Sequence, residues 1–357
     1  MKKISLHSKT VNKPALSGFI RPVLLLCLFL VMLTGCTAKT SSKEPFAPGD
    51  DNMLVVYTSH KEEVYGPIIR EFEQRTGIWV NVVSDGTNRL LERIKNENGV
   101  NSADVMFGGG VDTLNAYSEC FEPYQSKDAG HIVSSFKSDG NYWTPFSSLP
   151  IVIIYNNKLV YADSVPTGWN DLLDEKWKGQ IAFADPGTSG TSYTSLATML
   201  QVGGIDKENA IIRQFCQNLD GKVLSGSGAV PDTVASGTRL IGVTLEEVAL
   251  KLQAFNPDIS IVYPIEGTSA VPDGSALVKG ARHTENAKSF LDFIIGYDVQ
   301  RMLIDRCSRR PVRNDIVVED RRFVKITEID FDMNWASSNQ SRILREWNAA
   351  VEVDDED

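Results

Sequence analysis

The stretch MLVVYTSHKEEVYGPIIREFEQRTGIWVNVV, residues 53–83, carries the pattern that decides the fold. Residues 53–57 are a short apolar run, which is typical of a buried parallel strand. Apolar residues then recur at helical spacing, at Val64, Ile68, Ile69 and Phe72. Gly77 is typical of a helix C-terminus, and residues 78–83 predict a second strand.

A second helix and a third strand follow in the same order. Residues 85–97, DGTNRLLERIKNE, place apolar side chains on one helical face, and residues 104–110, DVMFGGG, predict a strand that runs into glycines. This alternation predicts an α/β fold with a parallel, doubly wound sheet. Ser59, with Glu62 three residues later, favours a capping box at the start of the first helix.

Predicted strands repeatedly end in glycine or in polar residues. In open α/β sheets, ligands bind beyond the carboxyl ends of the strands. Together with Ser148 beside the next apolar strand, these ends predict a ligand site made by Thr58, Ser59, His60, Gly109, Gly110, Ser148, Thr188, Ser189, Gly190, Thr191, Ser225, Ser227, Thr244 and Glu246.

Residues 187–192, GTSGTS, precede a run that predicts a helix. One interpretation is a helix cap and nothing more. The other is an anion site, because Gly187 and Gly190 let the backbone approach a ligand and the helix N-terminus favours negative charge. The repetition of polar strand ends favours the anion site.

The N-terminal residues have the pattern of an export signal. Basic residues precede an apolar run at 23–33, which is shorter than the roughly 20 residues of a membrane span. The LTGC that ends at Cys36 is typical of a lipobox, in which cleavage precedes a lipidated cysteine. We therefore expect a signal peptide at 1–35, lipidation at Cys36 and a flexible tether over 36–52. A plain secretory signal is the alternative.

Composition and charge narrow the function classes. The net charge of −10 disfavours nucleic-acid binding. Neither GxSxG, HExxH nor a nucleotide-binding glycine motif is present, so a hydrolase using Ser189 and a purely structural lipoprotein are the weaker classes. We expect no cofactor and no metal site.

Cys120, Cys216 and Cys307 allow at most one disulfide, and buried thiols are favoured over it.

Three stretches resemble bacterial periplasmic solute-binding proteins of ABC importers, in the branch of ferric-iron, phosphonate, thiamine and sugar-phosphate binders. They are YTSHKEEVYGPIIREFEQRTGI at 57–78, GWNDLLDEKWKGQIAFADPGTSGTSY at 168–193 and HTENAKSFLDFIIG at 283–296. The resemblance covers about residues 53–320, and the central block is its most specific part.

The resemblance implies a two-lobed type II periplasmic-binding-protein fold, with doubly wound sheets and two crossings between the lobes. We place the crossings near 148–152 and 242–245. Lobe 1 is then 53–148 with 248–320, lobe 2 is 149–247, and 321–357 is a C-terminal helix and tail that packs on lobe 1 and frays at its acidic end.

The resemblance also bears on the ligand. The family's iron binders have a histidine where His60 stands, a glutamate after the third strand, and two adjacent tyrosines where Glu246 and Glu247 stand. Two of these three features are missing from this chain. Some of the iron binders also hold a synergistic anion with a loop that corresponds to residues 188–191, and this loop is rich in hydroxyls here. We expect a small phosphorylated organic anion, a hexose phosphate above others. Ferric iron, aminoethylphosphonate and a thiamine-type ligand are the alternatives.

The implied partners and location follow. We expect a monomeric receptor on the periplasmic or extracellular face of the cell envelope, held by its lipid anchor. It would deliver its solute to a membrane permease and the associated ATPase of an ABC transporter.

Overall fold

The computed structural model describes residues 49–97 and 103–354. These residues form two β-sheets. The predicted signal peptide, Cys36 and most of the predicted tether lie outside them. The strands are β1 (Met53–Thr58), β2 (Trp79–Ser84), β3 (Val105–Gly110), β4 (Phe121–Glu122), β5 (Thr144–Ser148), β6 (Ile151–Asn156), β7 (Ile181–Ala182), β8 (Ile241–Leu245), β9 (Ile259–Val262), β10 (Pro272–Val278) and β11 (Arg310–Pro311).

Ten α-helices of the described residues pack around these sheets. They are α1 (Glu62–Thr76), α2 (Thr87–Glu97), α3 (Val111–Ala116), α4 (Gly190–Gly203), α5 (Glu208–Leu219), α6 (Val230–Ala235), α7 (Glu246–Phe255), α8 (Thr284–Ile294), α9 (Tyr297–Met302) and α10 (Met333–Asp354). In the part of the chain that the structure describes, none of them is long and apolar enough to cross a membrane.

The first sheet has the order β11-β5-β10-β3-β1-β2, with β4 also paired to β10. As predicted, β1 is parallel to both β2 and β3. The later strands β10, β5 and β11 join antiparallel. The second sheet has the order β7-β8-β6-β9, in which β6 is antiparallel to both neighbours. We call each sheet with its helices the first and the second lobe.

Apolar side chains cover both faces of the first sheet. Val56 and Phe107 point to the face covered by α1 and α8, whereas the next residue of β1, Tyr57, and the preceding residue of β3, Met106, point to the face covered by α2 and α3. Successive strand residues face opposite sides, so a strand buried on both sides is apolar throughout. This two-sided core confirms the doubly wound arrangement.

The second crossing differs from the predicted one. Strand β8, helix α7 and strand β9 all stay in the second lobe, because β9 pairs antiparallel with the free edge of β6 from Val262 to Ile259. The chain therefore returns to the first sheet over residues 263–271, and not near 242–245. The chain first passes between the two sheets at residues 149–150.

The sequence predicted that the C-terminal helix packs on lobe 1. In the structure, helix α10 contacts both lobes. Its start, at Met333, contacts the apolar cluster of the first lobe. Further along, Ile343 and Trp347 are buried in the apolar cluster of the second lobe, where Trp347 lies 5.8 Å from Phe183 between ring centroids. The second lobe is thus completed by residues that follow the first lobe in sequence.

The three cysteines of the described residues are thiols and form no disulfide with one another. Cys216 and Cys307 are buried and Cys120 is half-buried, so the prediction of buried thiols holds for two of them.

Candidate functional site

A cavity of about 880 Å³ lies between the lobes. The first lobe lines it with the ends of β1, β3 and β10, and with α2 and α3. The second lobe contributes the loop at 186–191 and the turn at 226–228, and α10 adds Gln340. The carboxyl ends of β1 and β3 meet at this cavity, as expected for ligand sites of α/β sheets.

Nine of the fourteen predicted site residues line this cavity. They are Ser59, His60, Gly109, Gly110, Thr188, Ser189, Gly190, Thr191 and Ser227. The other five do not belong to its lining. Thr58, Ser148, Thr244 and Glu246 are buried, and Ser225 is exposed and accepts a hydrogen bond from Thr188 through its carbonyl.

The loop at 187–192 both caps a helix and faces the cavity. Ser189 is the N-cap of α4, and its Oγ accepts hydrogen bonds from the N–H of Ser192 at 3.3 Å and from its hydroxyl at 3.1 Å. The Ser189 hydroxyl therefore keeps its own proton for another acceptor. The N–H groups of Gly190 and Thr191, in the first turn, have no intrahelical acceptor by helix geometry. These groups can serve an anion.

Thr188 plays a different part from its neighbours. Its hydroxyl donates to the carbonyl oxygens of Asp185 at 3.2 Å and Ser225 at 3.1 Å. The single hydroxyl proton is therefore used within the protein, and Thr188 joins two loops of the second lobe.

Ser59 is not a helix cap, so the predicted capping box is wrong. Helix α1 begins at Glu62 with Lys61 as its N-cap, and no side chain caps it. Thr58 instead accepts from the N–H of His60 at 3.1 Å and donates to the carbonyl of Phe107 at 2.8 Å. This turn leaves Ser59 at the cavity.

The glycines at the end of β3 provide space for cavity residues. Gly108 has φ +102°, and a Cβ there would lie 2.9 Å from both His60 Nε2 and Ser59 Oγ. Gly109 has φ +101°, and its Cβ would lie 2.7 Å from Thr87 Cγ2. Both backbone conformations favour glycine. The run is thus required for the shape of the cavity wall.

His60 is buried between two aromatic rings, with Phe107 at 4.6 Å and Phe146 at 5.3 Å between centroids. Burial, and then the nearby Arg309 cation, hold the pKa of His60 well below its ordinary value of 6.5. Its Nδ1 lies 3.4 Å from Arg309 Nη1, and its buried Nε2 makes no hydrogen bond and lies 3.5 Å from Asp273 Oδ2. The imidazole is thus neutral and faces protein groups with both nitrogens.

Arg309, which the sequence reasoning missed, lines the cavity and is 8% exposed. Its Nε donates to Glu247 of the second lobe at 2.5 Å, and its Nη1 donates to Asp273 at 2.7 Å and Ser147 at 3.2 Å. Burial opposes its charge, but Glu247 and Asp273 raise the pKa of Arg309, so it stays a cation. The only sequence signal was an arginine pair before a proline, in RRP at 309–311, which carries no periodicity.

Asp112 is a second cavity residue that the sequence reasoning missed. It lies in the first turn of α3 and is 8% exposed, and burial raises its carboxyl pKa. Nearby on the lining, Glu92 accepts a hydrogen bond from the Tyr117 hydroxyl, and this contact with burial raises the pKa of Tyr117 to about 12. These groups give the cavity acceptors in addition to the donors of the loop at 187–192.

Glu246 does not face the cavity, contrary to the prediction that it contacts the ligand. Arg310 donates to both of its carboxylate oxygens at 2.7 Å, and Tyr263 donates to Oε1 at 2.7 Å. Glu247 is likewise held by Arg309 and by Lys251. Across the described residues, no three His, Cys, Asp or Glu side chains come together as a metal-binding cluster.

Comparison with known proteins places this geometry in a family. A family model described as bacterial extracellular solute-binding protein matches residues 103–335. An uncharacterized protein of Haemophilus influenzae is 28% identical over 320 residues, covering 84% of this chain and 91% of the relative. A putative 2-aminoethylphosphonate-binding periplasmic protein of Salmonella typhi is 26% identical over 265 residues, covering 72% and 76%.

The fold is shared with solved structures. The periplasmic binding protein AfuA from Actinobacillus pleuropneumoniae, solved with exogenous fructose-6-phosphate, superposes with a TM-score of 0.75 at 24% identity, over 84% of this chain and 98% of that one. This likeness confirms the predicted type II periplasmic-binding-protein fold. The chain belongs to the family of bacterial extracellular solute-binding proteins.

Proposed function

We propose that the protein is the extracytoplasmic receptor of an ABC importer, and that it captures a small phosphorylated organic anion, a hexose phosphate above others. The observation that carries this proposal is the position of the loop at 187–192, which leads into the N-terminus of α4 and lines the cavity. Ser59 and Arg309 line the same cavity from the opposite lobe. Donors from both lobes can therefore close on one bound group.

The energetics of such a site are favourable. Hydrogen bonds to a charged group contribute roughly 1.5–3 kcal/mol each. The hydroxyl of Ser189 and the N–H groups of Gly190 and Thr191 supply three donors, and the N-terminal dipole of α4 adds to them. The acidic net charge of the whole chain does not oppose this, because the donors act locally.

The ligand should have an organic part as well as a phosphate. A cavity of about 880 Å³ is within the range of pockets that hold small organic molecules, and it is far larger than a phosphate group needs. Asp112 and Glu92 provide acceptors suited to sugar hydroxyls. An aminoalkylphosphonate is the second candidate, because the buried Asp112 carboxyl could pair with its ammonium.

Other readings are less well supported. The two glutamates at the iron binders' tyrosine positions form ion pairs with Arg309 and Arg310. The positively charged side chain of Arg309 also lines the cavity, which favours an anion over ferric iron. For a hydrolase, Ser189 would need a base that accepts its proton, and both hydrogen bonds that its Oγ makes are accepted from Ser192. We further propose that lipidated Cys36 anchors the receptor beside its permease and ATPase, and that it acts as a monomer.

Native mass spectrometry of freshly purified protein, followed by a thermal-shift panel, tests the proposal. The panel contains hexose phosphates, 2-aminoethylphosphonate, inorganic phosphate and ferric citrate. A ligand at one hundred times its Kd stabilises the protein by about 2.7 kcal/mol. Stabilisation by a hexose phosphate above all others supports the proposal, whereas stabilisation by ferric citrate alone refutes it. Asp112→Asn should weaken hexose phosphate binding more than binding of inorganic phosphate.

A further inference from the structure

Arg309 has one nitrogen that no protein group uses. Among the described residues, Nε and Nη1 have partners in Glu247, Asp273, Ser147 and His60, whereas Nη2 has none. The side chain is more than nine-tenths buried, but Nη2 itself is not fully buried. Because Arg309 also lines the cavity, Nη2 is the guanidinium nitrogen that is left to bind a ligand there.

The rest of the guanidinium is held in place from several sides. Glu247 fixes Nε from α7 of the second lobe, and Asp273 fixes Nη1 from β10 of the first lobe. His60 Nδ1 faces Nη1, and since arginine can only donate, this nitrogen of His60 is the acceptor. A guanidinium fixed in this way loses little freedom when it binds a ligand.

We propose that Arg309 is the residue of the first lobe that binds the anion, through Nη2, and that His60 and Glu247 position it. The inference rests on the proposed anion-binding function and adds a buried positive charge to the proposed site. Helix α4 supplies neutral N–H and hydroxyl donors, whereas the guanidinium supplies a donor that is itself positively charged.

This assignment changes the part played by His60. Its Nε2 is buried beside Gly108 and Asp273, so it does not face the cavity as a free ligand atom. The low pKa of His60 keeps it neutral, so it does not repel the neighbouring guanidinium. His60 is then a positioning residue, which accepts from Arg309 and packs against Phe107 and Phe146.

The test compares two conservative variants of neighbouring arginines. Arg309→Lys keeps a positive charge for Glu247 and Asp273 but has no Nη2. Arg310→Lys is the matched control, because Arg310 also pairs with a buried glutamate of α7 but does not belong to the cavity lining. Calorimetry with inorganic phosphate and with glucose 6-phosphate measures the affinity of each variant and of the wild-type protein.

We expect Arg309→Lys to weaken binding of both probes at least tenfold and Arg310→Lys to change it less than twofold. Wild-type affinity in a folded Arg309→Lys protein would overturn the proposal. If that variant does not fold, a crystal structure of the wild-type protein with phosphate decides: Nη2 within hydrogen-bond distance of a phosphate oxygen supports the proposal, and a phosphate bound away from Arg309 refutes it. If the wild-type protein instead binds a non-anionic solute in this cavity, the proposed function itself fails.

Discussion

Glu246 and Arg310 join the two lobes through a two-point ion pair, in which Nε and Nη2 of the arginine each lie 2.7 Å from a carboxylate oxygen. Glu246 opens α7 in the second lobe and Arg310 lies in β11 of the first. The neighbouring residues Glu247 and Arg309 form a second ion pair between the two lobes. The lobes are therefore linked by charge as well as by the backbone crossings.

Glu246→Gln should lower the free energy of unfolding by about 3 kcal/mol, because it leaves the Arg310 charge without its buried partner. Relative affinities among hexose phosphates should not change, since Glu246 does not line the cavity. Urea denaturation and calorimetry measure the two effects. Asp298→Asn is the control, because the Asp298–Arg75 pair is exposed and its loss should leave the stability almost unchanged. Equal losses in both variants would show that the buried pair is unimportant.

Thr191→Val should weaken phosphate or organophosphate binding about tenfold, because Thr191 lines the cavity and its hydroxyl, which valine lacks, is a donor in addition to the N–H that valine keeps. One hydrogen bond to a charged group is worth at least about 1.5 kcal/mol. Thr188→Val is the matched change three residues earlier. It should lower stability by about 1 kcal/mol with little effect on affinity, since the Thr188 hydroxyl serves two carbonyl oxygens. Calorimetry and thermal melting distinguish the two, and a reversed pattern would contradict the division of roles.

Gly108→Ala should lower the free energy of unfolding by at least about 2 kcal/mol, because φ is +102° and the new Cβ would press on His60 and Ser59. Gly228→Ala is the control, since a Cβ there meets nothing within 4 Å and its φ is not positive. Denaturant unfolding of both variants checks this. A Gly108→Ala protein as stable as the control would mean that the cavity wall is loosely packed.

His60 should make stability depend on pH below neutrality. Its pKa is lowered in the folded state, so below its unfolded value of about 6.5 the unfolded chain binds more protons and stability falls as pH falls. The slope is at most about 1.4 kcal/mol per pH unit, and it ends below the folded pKa. Urea midpoints at pH 7.5 and 5.5 should therefore differ more for the wild-type protein than for His60→Gln. An equal difference in both would exclude His60 as the cause.

Much of the fold could be predicted from local pattern. The run from Met53 to Gly110 alternates strand and helix with apolar spacing that leaves one arrangement, and β1, β2 and β3 have it. The strands from elsewhere in the chain were harder. β10 inserts between β3 and β5, and β9 pairs beside β6, through long-range contacts that leave no local periodicity. The second crossing was misplaced for this reason.

The site divides in the same way. Ser59 and the loop at 187–192 could be predicted, because glycine and hydroxyl residues at strand ends have a recognisable composition. Arg309 and Asp112 could not, since a single charged residue is typical of any surface and only tertiary packing buries it at the cavity. Glu246 had the right composition for a ligand contact, but Arg310, distant in sequence, occupies it.

The burial of Trp347 among second-lobe residues imposes an order on biosynthesis. Helices α4 and α5 cover most of this core as soon as they are made, but the part that Ile343 and Trp347 cover stays exposed until translation of α10 is nearly finished. During that interval the nascent chain exposes apolar surface. A ribosome stalled before residue 343 would therefore hold a first lobe with most of its core beside a second lobe unable to reach its native packing.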